Sequence, residues 1–240
     1  MKPFKKFLGP EGQSGLVPSI HSVEKIRRRE FLLGGACTAL LLVSSCSSEG
    51  SVDNTEVSEV FVEFDGTLET FFTKCKNLAT QVEDTYAIPA GIVLAQAHLE
   101  STGGTSELAQ QANALFGIKA RADWSGDIYI KSTLEEISPG SLEQWQAQAD
   151  TYGGEVTILD ERGNGKMLIE VPQAFRKYAS IDESFLDHGD RIRNSGLYAP
   201  PHDAVANPEG YIRAIAPVYA TDSEYAQKVL DVYRRVQELA

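Results

Sequence analysis

The sequence predicts an α+β domain, with helices towards both ends of the fold and a small β-rich region between them. Apolar residues recur at helical spacing before residue 101 and again after residue 180. Between them, Trp124–Val171 carries β-branched residues at strand-like spacing, with glycine-containing turns. No internal repeat is visible, and the chain is long enough to bury one core. Helices packed with a small sheet around one core define the α+β class.

Three helices are predicted before residue 115. The first has Thr67 or Asp65 as a possible N-cap, and its apolar stripe is Leu68, Phe71, Phe72, Cys75, Leu78 and Val82. The second, Pro89–Glu100, is apolar on nearly all sides and should therefore run through the core. Thr105-Ser106-Glu107 predicts the start of a third helix that ends near Asn113. Cys75, on the first stripe, is expected to be a buried small hydrophobe rather than a reactive thiol.

The middle of the chain predicts three strands and a short helix. The strands are Ile128–Lys131, Glu155–Leu159 and Lys166–Val171, and the helix is Leu142–Ala149. We interpret Trp124–Val171 as a β lobe with an insertion near residues 137–166.

The last third returns to helical patterns. Ser180–Glu183 resembles a capping box before a helix over Ser184–Asn194. Asn207-Pro208 predicts the start of a helix that ends near Pro217, and Thr221 or Asp222 is the expected cap of a terminal helix.

Residues 1–45 have the order of an export signal: a basic stretch, an apolar stretch and small residues before Cys46. Arg28-Arg29-Glu30-Phe31-Leu32 resembles a twin-arginine signal, and Val43-Ser44-Ser45-Cys46 resembles a lipobox. We therefore expect a lipidated Cys46, a flexible tether over residues 46–59 and a folded domain over residues 60–240. A plain signal peptide and an uncleaved anchor are the alternatives. The apolar run of about 13 residues is short of the roughly 20 that span a bilayer.

Charge and histidine placement exclude several classes of partner. The net charge is −12, and without residues 1–45 the chain has 15 basic and 31 acidic residues, a net charge of −16. Because such a chain repels polyphosphate, nucleic acid is not an expected partner. The histidines lack the spacing of metal ligands, so no metal site is expected.

Ala95–Gly117 contains the strongest chemical signal. It places Glu100 at the end of the apolar second helix, directly before a Gly/Thr turn. A half-buried carboxylic acid keeps its proton near neutral pH because burial raises its pKa, and a glycosidase needs such a proton donor. The structural alternative is a carboxylate that caps the backbone of Ser101 and Thr102.

Six collinear blocks resemble the glucosaminidase domain of glycoside hydrolase family 73, which comprises peptidoglycan hydrolases. They are Leu94–Ser101, Gly104–Ser106, Asn113–Lys119, Trp124–Gly126, Phe175–Ser180 and Tyr219–Ala226. The resemblance implies a lysozyme-like fold, with a helical lobe, a small β-hairpin lobe and a saccharide cleft between them. It also implies Glu100 as the general acid, peptidoglycan strands as the substrate, and no cofactor.

Family members carry a second glutamate in a Thr-x-Glu setting on the β lobe, and Thr133-Leu134-Glu135 fits that pattern. Neighbouring residues of a strand point to opposite faces, so only one of Glu135 and Glu136 can face the cleft. Glu135 is preferred, and Glu136, Glu155 and Glu170 remain alternatives. The spacing of the two carboxylates, which separates inverting from retaining chemistry, cannot be inferred from the sequence.

The resemblance places Tyr219 near the cleft as a third catalytic candidate, although a core tyrosine is the alternative. The predicted substrate-binding residues are Asn113, Phe116, Trp124 and Tyr225. Phe116 is equally consistent with a core residue and Asn113 with the end of a helix, while Asp222 fits a cap better than a catalyst. Family members usually have Glu-Ser-Gly-Trp-Gly where this chain has Glu100 to Gly104, so the tryptophan is missing.

The expected function is an exported endo-β-N-acetylglucosaminidase that cleaves the GlcNAc-β-1,4-MurNAc bond of peptidoglycan. A lytic transglycosylase of the same fold and a non-catalytic wall-binding lipoprotein are the alternatives. We expect a monomer at the cell envelope that touches membrane only through its lipid, on the periplasmic face of the outer membrane if the host is Gram-negative.

Overall fold

The computed structural model describes residues 59–162, 165–198, 200–201 and 203–240. The predicted export signal, Cys46 and nearly all of the predicted tether lie outside these residues. The described part is built from helices and one three-stranded antiparallel sheet, which confirms the α+β class. Its elements are α1 (Leu68–Tyr86), α2 (Ala90–Ser101), α3 (Glu107–Ala112), β1 (Ile128–Ile137), α4 (Leu142–Thr151), β2 (Thr157–Arg162), β3 (Lys166–Arg176), α5 (Ile181–Asn194), α6 (Pro208–Tyr219) and α7 (Tyr225–Leu239).

Helix α2 runs through the main core, as its apolar composition predicts. Every residue from Ile92 to Ala97 is buried, and the helix packs against α1 and α7. Helices α5 and α6 supply further apolar side chains to the same core. The end of α2 is therefore held on several sides, which gives Glu100 a rigid support.

The capping predictions are confirmed for α1, α3 and α6, whose caps are Thr67, Ser106 and Asn207. Two others need correction. Helix α5 begins at Ile181 and Ser180 makes no capping hydrogen bond, whereas Glu183 accepts from the Ala179 backbone N–H at 3.1 Å.

The cap of α7 is Glu224 rather than Thr221 or Asp222. Asp222 lies two residues before that cap and accepts a hydrogen bond from the Glu224 backbone N–H at 2.9 Å. Its other carboxylate oxygen pairs with Lys228, so the side chain closes a turn before the helix instead of capping its first turn.

The sheet has the order β1-β3-β2, and β1 and β3 are longer than their apolar patterns predicted. Their additional residues include polar side chains that the β1–β3 pairing holds in extended form. The predicted insertion folds as part of this lobe, because α4 and both long strands share one apolar cluster. That cluster is Ile137, Ala149, Met167, Ile169 and Val171, with Leu142, Trp145 and Val156 against it.

A second apolar cluster joins the sheet to the helices. Leu108, Ala112 and Ala114 from the α3 region meet Phe175 and Tyr178 at the end of β3. Within the described ranges, no helix is both long and apolar enough to cross a membrane.

Candidate active site

A cavity lies where the end of α2, the loop after α3, helix α5 and the α6–α7 connection meet. Its wall combines carboxylates, aromatic rings and basic side chains. The polar and aromatic lining residues are Glu100, Phe116, Lys119, Arg121, His188, Arg191, Tyr198, Tyr219, Asp222 and Tyr225. The structure therefore brings four of the proposed site residues into one cavity wall, namely Glu100, Tyr219, Tyr225 and Phe116.

The turn after α2 fixes the position of Glu100. Ser101 Oγ donates to the Ala97 carbonyl at 2.6 Å and accepts from the Gly104 N–H at 2.8 Å. Gly103 has a φ of 63°, and a Cβ there would lie 2.5 Å from the Gly66 carbonyl oxygen. The backbone of Gly66 thus occupies the space beside the position where family members carry tryptophan, so a side chain at residue 103 would collide with it.

A line of hydrogen bonds orients the Glu100 carboxyl group. The buried Gln96, one helical turn earlier, donates to the Tyr225 hydroxyl oxygen at 3.2 Å. The Tyr225 hydroxyl in turn donates to Glu100. Burial, and next the Glu100 charge, raise the pKa of Tyr225 well above its usual value, so the phenol keeps its proton and remains a donor.

Neutral aromatic rings surround this carboxyl group. Tyr219 stacks on Tyr225 with ring centroids 5.2 Å apart, and burial followed by the Glu100 charge raises the Tyr219 pKa well above its usual value. His188 stacks on Phe116 at 3.9 Å with near-parallel planes. Burial, and then the charge of Arg191, lower the pKa of His188 to about 3, so this ring is uncharged at neutral pH.

The predicted second carboxylate, Glu135, does not line the cavity. Its side chain is 2% exposed, and its Oε1 atom lies 2.7 Å from Lys119 Nζ and accepts from Thr133 Oγ1 at 3.1 Å. Lys119 does line the cavity, so Glu135 lies one ion pair behind the wall.

The alternatives to Glu135 have other surroundings. Glu136 points to the opposite face of β1 and pairs with Arg162 and Lys166, at 3.5 and 3.2 Å. Glu155 and Glu170 are exposed, and neither lines the cavity.

Two predicted substrate-binding residues have other contacts. Asn113 is fully buried and ends α3 with a φ of 52°, and its amide donates to the Tyr178 and Ala179 carbonyls at 3.1 and 3.2 Å. Trp124 packs over the Arg176 guanidinium at 4.7 Å. Neither residue lines the cavity. Both instead contact residues at or just after the end of β3.

The sequence reasoning missed His188, Tyr198, Arg191, Arg121 and Lys119 as lining residues. It also missed Gln96, which contacts Tyr225 behind the wall, although its spacing from Glu100 puts both on one face of α2. Among the residues that the structure describes, no three histidine, cysteine or carboxylate side chains converge as a metal site. Cys75 is buried and free, and burial raises the pKa of its thiol to about 12.

Comparison with known proteins places this geometry in a family. The family model described as mannosyl-glycoprotein endo-beta-N-acetylglucosaminidase matches residues 76–238. The peptidoglycan hydrolase FlgJ of Vibrio cholerae is 32% identical over 174 residues, covering 70% of this chain and 44% of that protein. The exo-glucosaminidase LytG of Bacillus subtilis is 27% identical over 216 residues, which cover 86% of this chain and 64% of LytG. The chain spans less than half the length of the first FlgJ relatives that it matches.

Solved structures agree on the fold. The catalytic domain of the autolysin Auto from Listeria monocytogenes has a TM-score of 0.55 at 23% identity, over 72% of this chain and 88% of that one. The truncated glycoside hydrolase domain of Salmonella typhimurium FlgJ has a TM-score of 0.50 at 24% identity, over 72% of this chain and all of that one. With the family match over most of the described residues, this chain belongs to the glucosaminidase family, glycoside hydrolase family 73, that its sequence resembles.

Proposed function

We propose that this protein is a peptidoglycan hydrolase that cleaves the GlcNAc-β-1,4-MurNAc bond as an endo-β-N-acetylglucosaminidase. The observation that carries the proposal is Glu100 in the wall of an aromatic cavity, held by a tyrosine hydroxyl at the end of a buried helix. Family membership and the names of the FlgJ and LytG relatives support the choice of substrate.

In this proposal Glu100 is the general acid. It protonates the bridging oxygen as the bond from C1 to that oxygen breaks, and positive charge develops at C1. Water then adds its hydroxyl to C1, and its remaining proton passes to a carboxylate. Tyr225 is proposed to position the carboxyl group through its hydroxyl, and Gln96 to hold that hydroxyl in place.

Glu135 is proposed as the second carboxylate, which assists water or stabilises the oxocarbenium charge. Its Thr-x-Glu setting and its contact with Lys119 of the cavity wall support this role. The Lys119–Glu135 ion pair must separate before the carboxylate can touch a bound sugar. The N-acetyl group of the substrate is the alternative nucleophile, and the Tyr219 hydroxyl is proposed to hydrogen-bond it.

Analysis of the products tests the reaction. Purified sacculi digested with the protein should yield reducing GlcNAc ends, detected by mass spectrometry. Ends of 1,6-anhydro-MurNAc would instead identify a lytic transglycosylase, and binding without any new ends would identify a non-catalytic wall-binding protein.

We further propose that the chain is exported and anchored by lipid at Cys46, with residues 46–59 as a tether to the domain at residues 60–240. The Arg28-Arg29 pair and the residues before Cys46 support this proposal, and an envelope location suits a hydrolase of the cell wall. Cys46→Ser should move the protein from the membrane fraction to the soluble one, and replacing Arg28 and Arg29 with lysine should block export. Unchanged fractionation in both variants would contradict the proposal.

A further inference from the structure

The cavity wall carries two basic side chains that form no ion pair with a carboxylate among the described residues. Three cationic side chains line the cavity: Lys119, Arg121 and Arg191. Lys119 pairs with Glu135. The lining carboxylate of Asp222 pairs with Lys228, which lies outside the lining. For Arg121 and Arg191, the described part of the chain supplies no carboxylate within 4.0 Å.

The acid one helical turn before Arg191 is engaged by other partners. Asp187 lies one turn earlier, but its two carboxylate oxygens accept from Arg176 and from the Tyr178 hydroxyl, each at 2.7 Å. Within the described ranges, the cavity wall therefore holds two guanidinium groups without a carboxylate partner, in a chain with a net charge of −12.

Both arginines act on one phenol. The Arg191 guanidinium donates to the hydroxyl of Tyr198, which is 7% exposed and lines the cavity. Burial raises the pKa of Tyr198, and the charges of Arg191 and then Arg121 oppose that rise. Both arginines and Tyr198 line the same cavity, where the two positive charges repel each other, and an anion bound between them would offset that repulsion.

We propose that Arg121, Arg191 and the Tyr198 hydroxyl form a subsite for a carboxylate carried by the glycan strand. Guanidinium groups suit this ligand because their planar donors match the two oxygens of a carboxylate. The proposal rests on the proposed function for its substrate. A muramyl residue offers such a group either as its lactyl carboxylate or through the carboxylates of an attached peptide stem. A strand of N-acetylglucosamine alone offers none, so the subsite makes the cleft selective for muramyl glycans.

Binding to the full chain tests the subsite without relying on turnover. Isothermal titration calorimetry uses a Glu100→Gln background, which cannot cleave the ligands. The three probes are a GlcNAc–MurNAc oligosaccharide with peptide stems, the same oligosaccharide with its stems removed by an amidase, and chitotetraose. Arg121→Gln combined with Arg191→Gln removes the subsite. Arg213→Gln, an exposed arginine of α6 outside the cavity wall, is the matched control.

In the Glu100→Gln protein and in the Arg213→Gln control, at least one of the two carboxylate-bearing probes should bind at least about tenfold more tightly than chitotetraose. In the double arginine variant this preference should disappear, while the affinity for chitotetraose stays within about twofold. In the stem-bearing probe the lactyl carboxyl group is tied up in the amide bond to the stem, so a preference for only that probe assigns the subsite to stem carboxylates. A preference for only the stem-free probe assigns it to the lactyl carboxylate, and a preference for both probes shows that the subsite accepts either carboxylate.

A preference that survives in the double variant, or equal binding of all three probes to the parent, would overturn the inference. Failure of the proposed function would look different. If the wild-type protein releases no ends from sacculi but the arginine-dependent preference is observed, the cleavage proposal is refuted and the subsite proposal stands.

Discussion

Replacing Lys119 with methionine should destabilise the protein, because the buried carboxylate of Glu135 then has no cationic partner. Glu135 is 2% exposed, and its described partners are Lys119 Nζ at 2.7 Å and the Thr133 hydroxyl at 3.1 Å. Breaking a buried ion pair from one side typically costs about 3–5 kcal/mol, because one charge remains buried without compensation. Since Lys119 is 13% exposed at the cavity wall, we expect about 3 kcal/mol, the lower end of that range.

A double-mutant cycle isolates this effect in urea unfolding. Glu135→Gln alone should cost only about 1 kcal/mol, because the flexible lysine can turn to solvent in the cavity. Adding Glu135→Gln to Lys119→Met should then restore about 2 kcal/mol, since the stranded charge is gone. If the two single losses simply add in the double variant, the ion pair is not coupled and this reasoning is refuted.

Three further predictions follow from the pKa shifts and hydrogen bonds. Tyr225→Phe should lower kcat about 10- to 100-fold with little change in KM, because one hydrogen bond to the Glu100 carboxyl group is lost. Steady-state kinetics checks this, and an equal loss in the control Tyr233→Phe would contradict it. His188 has a pKa of about 3 in the folded protein and about 6.5 when unfolded, so the unfolded state binds the extra proton and stability falls as pH drops through that interval. From pH 7.5 to 4.5 this costs about 2.7 kcal/mol, and denaturation of His188→Phe should lack that part of the slope. The Cys75 thiol, with a pKa of about 12, should resist iodoacetamide at pH 8 until the protein unfolds, and peptide mass spectra that show Cys75 modified in the native protein would contradict this.

The sequence was sufficient for local features because local contacts determine them. The caps at Thr67, Ser106 and Asn207 involve only neighbouring residues, and the apolar composition of α2 was enough to predict that it lies in the core. Strand alternation also separated Glu135 from Glu136 correctly, because it requires opposite faces. Where the two glutamates then lie depends on tertiary packing, and the ion pair with Lys119 had no sequence signal.

The remaining residues of the cavity wall could not be predicted, because their contacts join parts of the chain that are distant in sequence. Gln96 and Tyr225 form a hydrogen bond across 129 residues of sequence, and the stacking of His188 on Phe116 joins α5 to the loop after α3. Arg191, in the last turn of α5, fits an ordinary basic residue at a helix C-terminus. Only the folded arrangement places it beside Tyr198 at the cavity.

The central claim is that Glu100 supplies the proton for glycan cleavage, and Glu100→Gln tests it most directly. The variant keeps the size of the side chain and removes its acid. Release of reducing GlcNAc ends from purified sacculi should fall at least about 1,000-fold, while Glu238→Gln, an exposed change on α7, should leave the rate unchanged. Circular dichroism and the unfolding midpoint should match wild type in both variants. A folded Glu100→Gln protein that still releases these ends at the wild-type rate would contradict the account.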